Sequence, residues 1–275
     1  MHTPPRKPRA TKSCISGTYP IDTGHATIIA DPMRDGGYIL EVNQVPSSYV
    51  VPGAPEVLDY DYMQWIVGVA NSSANALTTA SALNSVHLGA GGCALPSFFA
   101  HRWGGRTTAV EKDVALAKLV RQVFDPPVSI KTADARTFTH ALPPASVHVI
   151  VRDVFAGPST PSGLTTVEFY QAVHRALHPG GLFVANVGDY PGLSETRAEL
   201  SGLREIFRFT AVAGPVARLM GREYGNVVIA ASDAPLAFNP AAAGLRLSTT
   251  PRVICRDGAD YLSDAAPRRD HQPRH

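Results

Sequence analysis

The sequence predicts an α/β protein, a doubly wound sheet of seven strands preceded by a small antiparallel β unit. Three observations predict it. From Ser85 onward, short β-branched and aliphatic runs alternate with helix-like segments, the pattern of strands joined by crossover helices in a parallel sheet. Ahead of Ser85, between about residues 16 and 56, strand-like stretches are separated only by turn residues. The first strand of the alternating part runs into Gly89-Ala90-Gly91-Gly92, and about twenty residues later the next strand ends on Glu111.

Taken in order, "HATIIA" (25–30), "GYILEV" (37–42) and "SSYVV" (47–51) are the strands of the first unit, punctuated by Pro32, Asp35, Gly36, Gly37 and Pro46. "PEVLDYDYMQWIVGVANSSANAL" then reads as a helix, with Leu58, Tyr62, Trp65, Ile66 and Val69 at three- and four-residue steps. Strands follow at 86–88, 107–111, 128–131, 147–153, 182–187, 209–213 and 227–230, with helices clearest at 114–124, 167–177 and 193–204. "LHPGG" (177–181) is a helix stop leading into a buried strand. Beyond Ala234 periodicity fades, and "APRRDHQPRH" reads as a loose tail. The expected divisions are a disordered basic tail at 1–15, a β domain at 16–56, a nucleoside-binding domain at 57–233 and a partly disordered extension at 234–275.

Composition narrows the function classes. The chain has 275 residues, 44% hydrophobic and 17% charged, enough for a sizeable core. A net charge of +2 offers no basic face for nucleic acid, since the one basic cluster, Arg6, Lys7, Arg9 and Lys12, lies in a Pro-rich segment without apolar period. No apolar run approaches the roughly 18 residues of a membrane span, and no secretory leader is visible. Cys14, Cys93 and Cys255 lie far apart without metal-ligand spacing, and a sparse odd set fits a reducing compartment. A cytoplasmic protein with no metal, nucleic-acid or membrane partner is expected.

The chemistry is expected at the carboxyl edge of the sheet, where ligands of open α/β folds sit. Gly89 and Gly91 allow a backbone to approach a ligand closely. A carboxylate at Glu111 suits the two hydroxyls of a ribose. Asp134-Ala135 follows the third strand of this region, and Asp134 serves there as a helix N-cap, a ligand contact or both. Asp153 closes the fourth, ahead of a Gly/Pro/Ser/Thr loop of the kind that covers active sites.

These segments resemble the spermidine synthase (aminopropyltransferase) family over roughly residues 37 to 231. The resemblance is carried by "GYILEVNQVPSSYV", the Tyr62 helix, "HLGAGG", "AVEKD", "TADAR" and "RDVFAGPS…LTTVEFYQAVHRALHPGGLFVANV". It implies a methyltransferase-like (Rossmann-like) sheet of seven strands, a small N-terminal β domain and a homodimer or tetramer. It also implies decarboxylated S-adenosylmethionine as co-substrate, leaving as methylthioadenosine after an aminopropyl group passes to an amine. By position, Glu111 would hold the ribose hydroxyls, Asp134-Ala135 the adenine and Asp153 the catalytic carboxylate, while Tyr62 would line the amine pocket. The chain departs from the family where amines are held. Cys93 and Ala94 follow the glycines where the family carries an acid, and "DVFAGP" has one acid where "DSSDP" has two. Ser47 and Met63 stand where glutamine and histidine are expected. Two other readings use the same edge: a methyltransferase taking intact S-adenosylmethionine, and a nucleoside-binding protein that has lost catalysis. A nicotinamide dehydrogenase is disfavoured by the missing third glycine and the lack of a substrate domain.

Overall fold

The computed structural model describes residues 15–77, 82–157, 159–238, 252–255 and 265–270, with the backbone alone for 74–77 and 252–255. All but the last residue of the expected basic tail, Cys14, and most of the expected C-terminal extension lie outside the described residues. The chain opens with a four-stranded antiparallel meander, β1 (Gly17–Ile21), β2 (Gly24–Ala30), β3 (Tyr38–Val42) and β4 (Val45–Val50). Its third hairpin turns on Asn43 and Gln44, both at positive φ, the backbone that a two-residue turn requires. Ala26, Ile28 and Leu40 face inward and join the main core.

Helix α1 (Asp61–Leu77) leads to the large sheet. It starts at Asp61, later than the segment from Pro55 predicts, and the Gln64 side-chain amide donates back to the Leu58 carbonyl ahead of it. Then come β5 (Ser85–Leu88), α2 (Ala94–Trp103), β6 (Thr107–Glu111), α3 (Val114–Phe124), β7 (Ser129–Thr132), α4 (Ala135–Ala141) and β8 (Val147–Arg152). A short 3-10 turn at Ser162–Leu164 precedes α5 (Val167–Ala176), β9 (Leu177–Asp189), α6 (Ser194–Arg204), β10 (Phe209–Gly214), α7 (Val216–Leu219), β11 (Gly225–Ser232) and β12 (Arg252–Cys255).

The sheet order is β12-β10-β11-β9-β8-β5-β6-β7. Strands β9, β8, β5, β6 and β7 are parallel, whereas β11, β10 and β12 pair antiparallel. The expected doubly wound sheet is present, its parallel part formed by β9, β8, β5, β6 and β7, and the antiparallel pairing of β11, β10 and β12 makes it mixed. The link from β10 to β11 holds only α7 and a turn, too short for a parallel crossover, so the strand returns alongside. A correction concerns "LHPGG". Helix α5 ends at Ala176, and Leu177 already pairs with Val147, so the motif belongs to a long strand whose register slips between Val147 and Val149.

Two apolar layers cover the sheet. One contains α1, α2, α3 and the meander, around Trp65, Ile66, Phe99, Leu116 and Val184. The other contains α4, α5 and α6, around Phe169, Tyr170, Phe183 and Leu203. The meander is joined to α3 by a reciprocal exchange. Asp113 accepts from the backbone of Leu116, Asp22 and Thr23, while Asp22 accepts from the backbone of Val114. Each acid satisfies donors that a helix start or a turn would leave open. Among the described residues no helix is long and apolar enough to cross a membrane.

Candidate active site

After β5 the chain runs outward to β6 and β7 and then returns to β8, so the carboxyl ends of β5 and β8 flank the point where the winding reverses. That crevice is where open α/β sheets bind ligands. Gly89 follows β5 with φ 88, and a Cβ there would stand 2.1 Å from the Asp153 carbonyl oxygen. Only glycine lets the two strand ends meet so closely. Gly91, at φ 47, carries the turn against Ser48 of β4, whose hydroxyl accepts from Gly92 N–H at 2.8 Å. The meander thus supplies the back wall of the glycine turn. Cys93 starts α2 in the left-handed region, and burial pushes its thiol up to about 12, so it is an inert wall atom.

Glu111 stands at the tip of β6, half-buried. One carboxylate oxygen accepts from Ala90 N–H at 3.3 Å and the other from Asp113 N–H at 3.0 Å, so it stitches the glycine turn to the β6–α3 turn. Burial raises its carboxyl above the ordinary value, while the bonds from the Asp113 and Ala90 backbone act the other way. Asp134 caps α4, accepting from Thr137 N–H at 2.9 Å and its hydroxyl at 3.0 Å. The backbone bond from Thr137 is the main cause of its lowered carboxyl value. Its side chain is exposed, and Ala135 is buried in the first turn of the helix.

Asp153 leaves the end of β8. Tyr62 Oη donates to its Oδ2 at 2.9 Å and Asn186 Nδ2 to its Oδ1 at 2.9 Å. Burial raises the Asp153 carboxyl, opposed by those two bonds. The Tyr62 hydroxyl is pushed well up by its own burial and by the neighbouring carboxylate. Asn186 lies in β9 and escaped the sequence reading, although a lone amide in "LFVANVGD" was its signal. Its Oδ1 has no hydrogen-bond partner among the described residues.

On the opposite face, Arg152 and Glu199 form a fully buried bidentate pair at 2.7 and 3.0 Å. Tyr170 Oη adds a 2.8 Å bond to the same carboxylate, and Arg152 also donates to the Leu164 carbonyl at 2.8 Å. Sequence reasoning missed this triad, whose one signal was an arginine closing the apolar strand "VHVIVR". No group of three or more His, Cys, Asp or Glu side chains suited to a metal occurs among the described residues.

The parallel half-sheet that reverses at β5, its antiparallel edge and the acid-tipped strand ends define a methyltransferase-like fold of the transferase type. No family model matches the chain. Its structure matches the crystal structure of a probable spermidine synthase from Corynebacterium glutamicum ATCC 13032, with TM-score 0.88, 36% identity, and 95% of this chain and 98% of that one covered. The chain belongs to the spermidine synthase family. A spermidine synthase solved in complex with the transition state analogue AdoDATO shares the fold at TM-score 0.58 and 19% identity, over 82% of this chain and 75% of that one. An N-terminal histidine N-methyltransferase from Emericella nidulans is 31% identical over 145 residues, 48% of this chain. The chain spans about a quarter of the length of that curated relative.

Proposed function

We propose that the protein binds a decarboxylated S-adenosylmethionine-type nucleoside and transfers its aminopropyl group to an amine that carries a single cationic end in the site. The observation that carries this reading is the half-buried Asp153 carboxylate, held by Tyr62 and Asn186 beside the glycine turn. Glu111 holds the ribose hydroxyls, the glycine turn lets the backbone approach the nucleoside, and Asp134-Ala135 borders the base. In the transfer, the amine lone pair forms a bond to the carbon attached to sulfur. The carbon–sulfur bond breaks, its electron pair stays on sulfur, and methylthioadenosine leaves as a neutral thioether. The nitrogen loses a proton in becoming the product amine, and Asp153 accepts it. A free alkylammonium titrates near about 10, so a carboxylate at the nitrogen is needed to bind the cation and bias that proton. Burial brings the Asp153 carboxyl closer to the range of a useful acceptor.

A single acid sets the acceptor class. Ala156 stands where the family's second acid would fall, three residues after Asp153, and its side chain is exposed. A diamine would therefore place its far ammonium without a carboxylate, which disfavours it. The similarity to a histidine N-methyltransferase favours a second reading, methyl transfer from intact S-adenosylmethionine, with the same roles for Glu111 and the glycine turn. Titration calorimetry with methylthioadenosine, decarboxylated S-adenosylmethionine and S-adenosylmethionine separates the two. Preference for the first pair supports aminopropyl transfer, and preference for the intact donor supports methyl transfer. Binding of none sinks both.

A further inference from the structure

Ala265–Asp270 comes from the far end of the chain yet lies against the loop that leaves Asp153. This segment was expected to be part of a loose tail, and its contacts correct that expectation. The Arg268 carbonyl accepts from Val167 N–H at 3.0 Å, satisfying one of the donors that the start of α5 leaves open. The Arg268 guanidinium donates to Thr165 Oγ1 at 3.3 Å and to Glu195 Oε1 at 2.8 Å. Asp270 accepts from the Thr166 hydroxyl at 2.8 Å and from Arg136 Nη2 at 2.6 Å, and its N–H donates to Glu168 at 3.1 Å. Arg269 meets Glu205 at 2.6 and 2.9 Å.

Three of those contacts fall on one short stretch, Thr165 to Val167, and the others reach Glu168 beside it, Arg136 on α4, Glu195 on α6 and Glu205 just after it. Arg136, next to Ala135 on α4, also donates to the Gly163 carbonyl and to Thr166 Oγ1. From inside the molecule Arg152, the residue before Asp153, holds the Leu164 carbonyl. The return arm of the loop is thus gripped by the strand that carries Asp153, by the helix that Asp134 caps, and by the C-terminal segment. The outgoing arm differs. Phe155, Ala156 and Gly157 are exposed, and the backbone bond from Ala156 N–H to the Ser159 carbonyl stays within that arm.

We propose that Arg268 and Asp270 are positioning residues for this loop. They anchor its return arm, leave opening to the exposed Phe155–Gly157 side, and so slow the escape of a nucleoside bound beside Asp134-Ala135. The retention half of the proposal rests on the nucleoside reading above, whereas the anchoring half does not. Loops over reacting groups open at low free energy, and an anchor on one arm decides which segment opens.

Hydrogen exchange on the full chain tests the anchoring, with calorimetry of methylthioadenosine as the second readout. In Arg268→Ala and Asp270→Ala, amide exchange over residues 160–169 should rise ten-fold or more while β5, β8 and β9 keep their protection. Methylthioadenosine affinity should fall three- to ten-fold, and Asp270→Glu, which keeps a carboxylate in reach, should retain most of both. Unchanged exchange at 160–169, or a rise spread across the whole sheet, overturns the proposal. A local rise with unchanged affinity overturns the positioning role and leaves a clamp alone. If the wild-type protein binds no nucleoside, the functional reading fails, and exchange still decides the anchoring.

Discussion

Tyr62 and Asp153 lie 91 positions apart in the chain and meet in one hydrogen bond of 2.9 Å, hydroxyl to half-buried carboxylate. The bond joins the first helix to the strand end on which the proposed chemistry depends. It holds the carboxylate in place, but it does not remove the unfavourable effect of burying a charge.

Burial raises the Asp153 carboxyl in the folded chain above the ordinary aspartate value of 3.8, so the folded state holds the proton more tightly than the unfolded one. The stability this group contributes is complete below the unfolded value and is lost as pH rises through the folded value. At neutral pH the ionised carboxylate is therefore a net burden. Asp153→Asn should melt a few degrees higher at neutral pH, at about 2–4 °C per kcal/mol for a chain of this size. The free Oδ1 of Asn186 can accept from the new amide after a ring-like exchange of partners. The gain should vanish near about pH 4, where the wild-type group is itself protonated. Transfer activity should be lost at every pH. Scanning calorimetry across that range decides, and a variant less stable than wild type at neutral pH sinks the argument.

Glu111→Ala should remove nucleoside binding while the protein stays folded. Two charge-assisted hydrogen bonds to ribose hydroxyls are worth about 1.5–3 kcal/mol each, which predicts a loss of affinity of at least about a hundred-fold. The same carboxylate also ties Ala90 to Asp113, so a small drop in melting temperature is expected alongside. Calorimetry and circular dichroism on the same sample separate the two effects. Wild-type affinity in the variant removes Glu111 from the site.

Arg152→Met should destabilise the protein by about 3–5 kcal/mol, because Glu199 would be left as an uncompensated buried charge. The double variant Arg152→Met, Glu199→Leu should recover most of that loss, since a buried ion pair is often replaceable by apolar side chains of similar volume. Urea denaturation of the three proteins is the measurement. A double variant as unstable as the single one would show that the pair contributes more than its desolvation removes.

Ala156→Asp should raise turnover of putrescine and leave nucleoside affinity unchanged. Because Ala156 is exposed, the added ion pair is worth about 0.2–1 kcal/mol, or up to roughly five-fold in kcat/KM. Brisk turnover of putrescine by the wild-type enzyme would show that another group already serves the far amine.

The strand–helix alternation was legible because each period is local: Val86–Leu88, Thr107–Glu111 and Val147–Arg152 are apolar runs bounded by turns, and the helices between them carry one apolar face. The antiparallel edge was not legible, since strands of either direction present the same buried run. What sets the direction of β11 is the length of its link to β10. The strand-end acids could be proposed because position along a parallel strand fixes which edge a residue occupies. Asn186, Arg152 and Glu199 lie inside elements, where pattern reading assigns only a face, and their partners sit in other elements. The docking of Arg268 and Asp270 was hidden for another reason: Arg and Asp beside Pro carry the composition of a solvated tail, and the complementary charges, Glu195 and Arg136, lie 73 and 134 positions earlier.

The exchange between Asp22 and Asp113 bears on the order in which the molecule assembles. The meander leaves the ribosome before the α3 start that completes its turn, which follows roughly ninety residues later. At about 5–20 residues per second, that is an interval of roughly 5–18 s. Through that interval the helix layer over the inward face of Ala26, Ile28 and Leu40 is incomplete, α1 and α2 arriving first and α3 last. The four-stranded meander is therefore made before the helices that cover its inward face. Until those helices arrive, the apolar inward face of its strands is a surface that a holding chaperone would cover during synthesis.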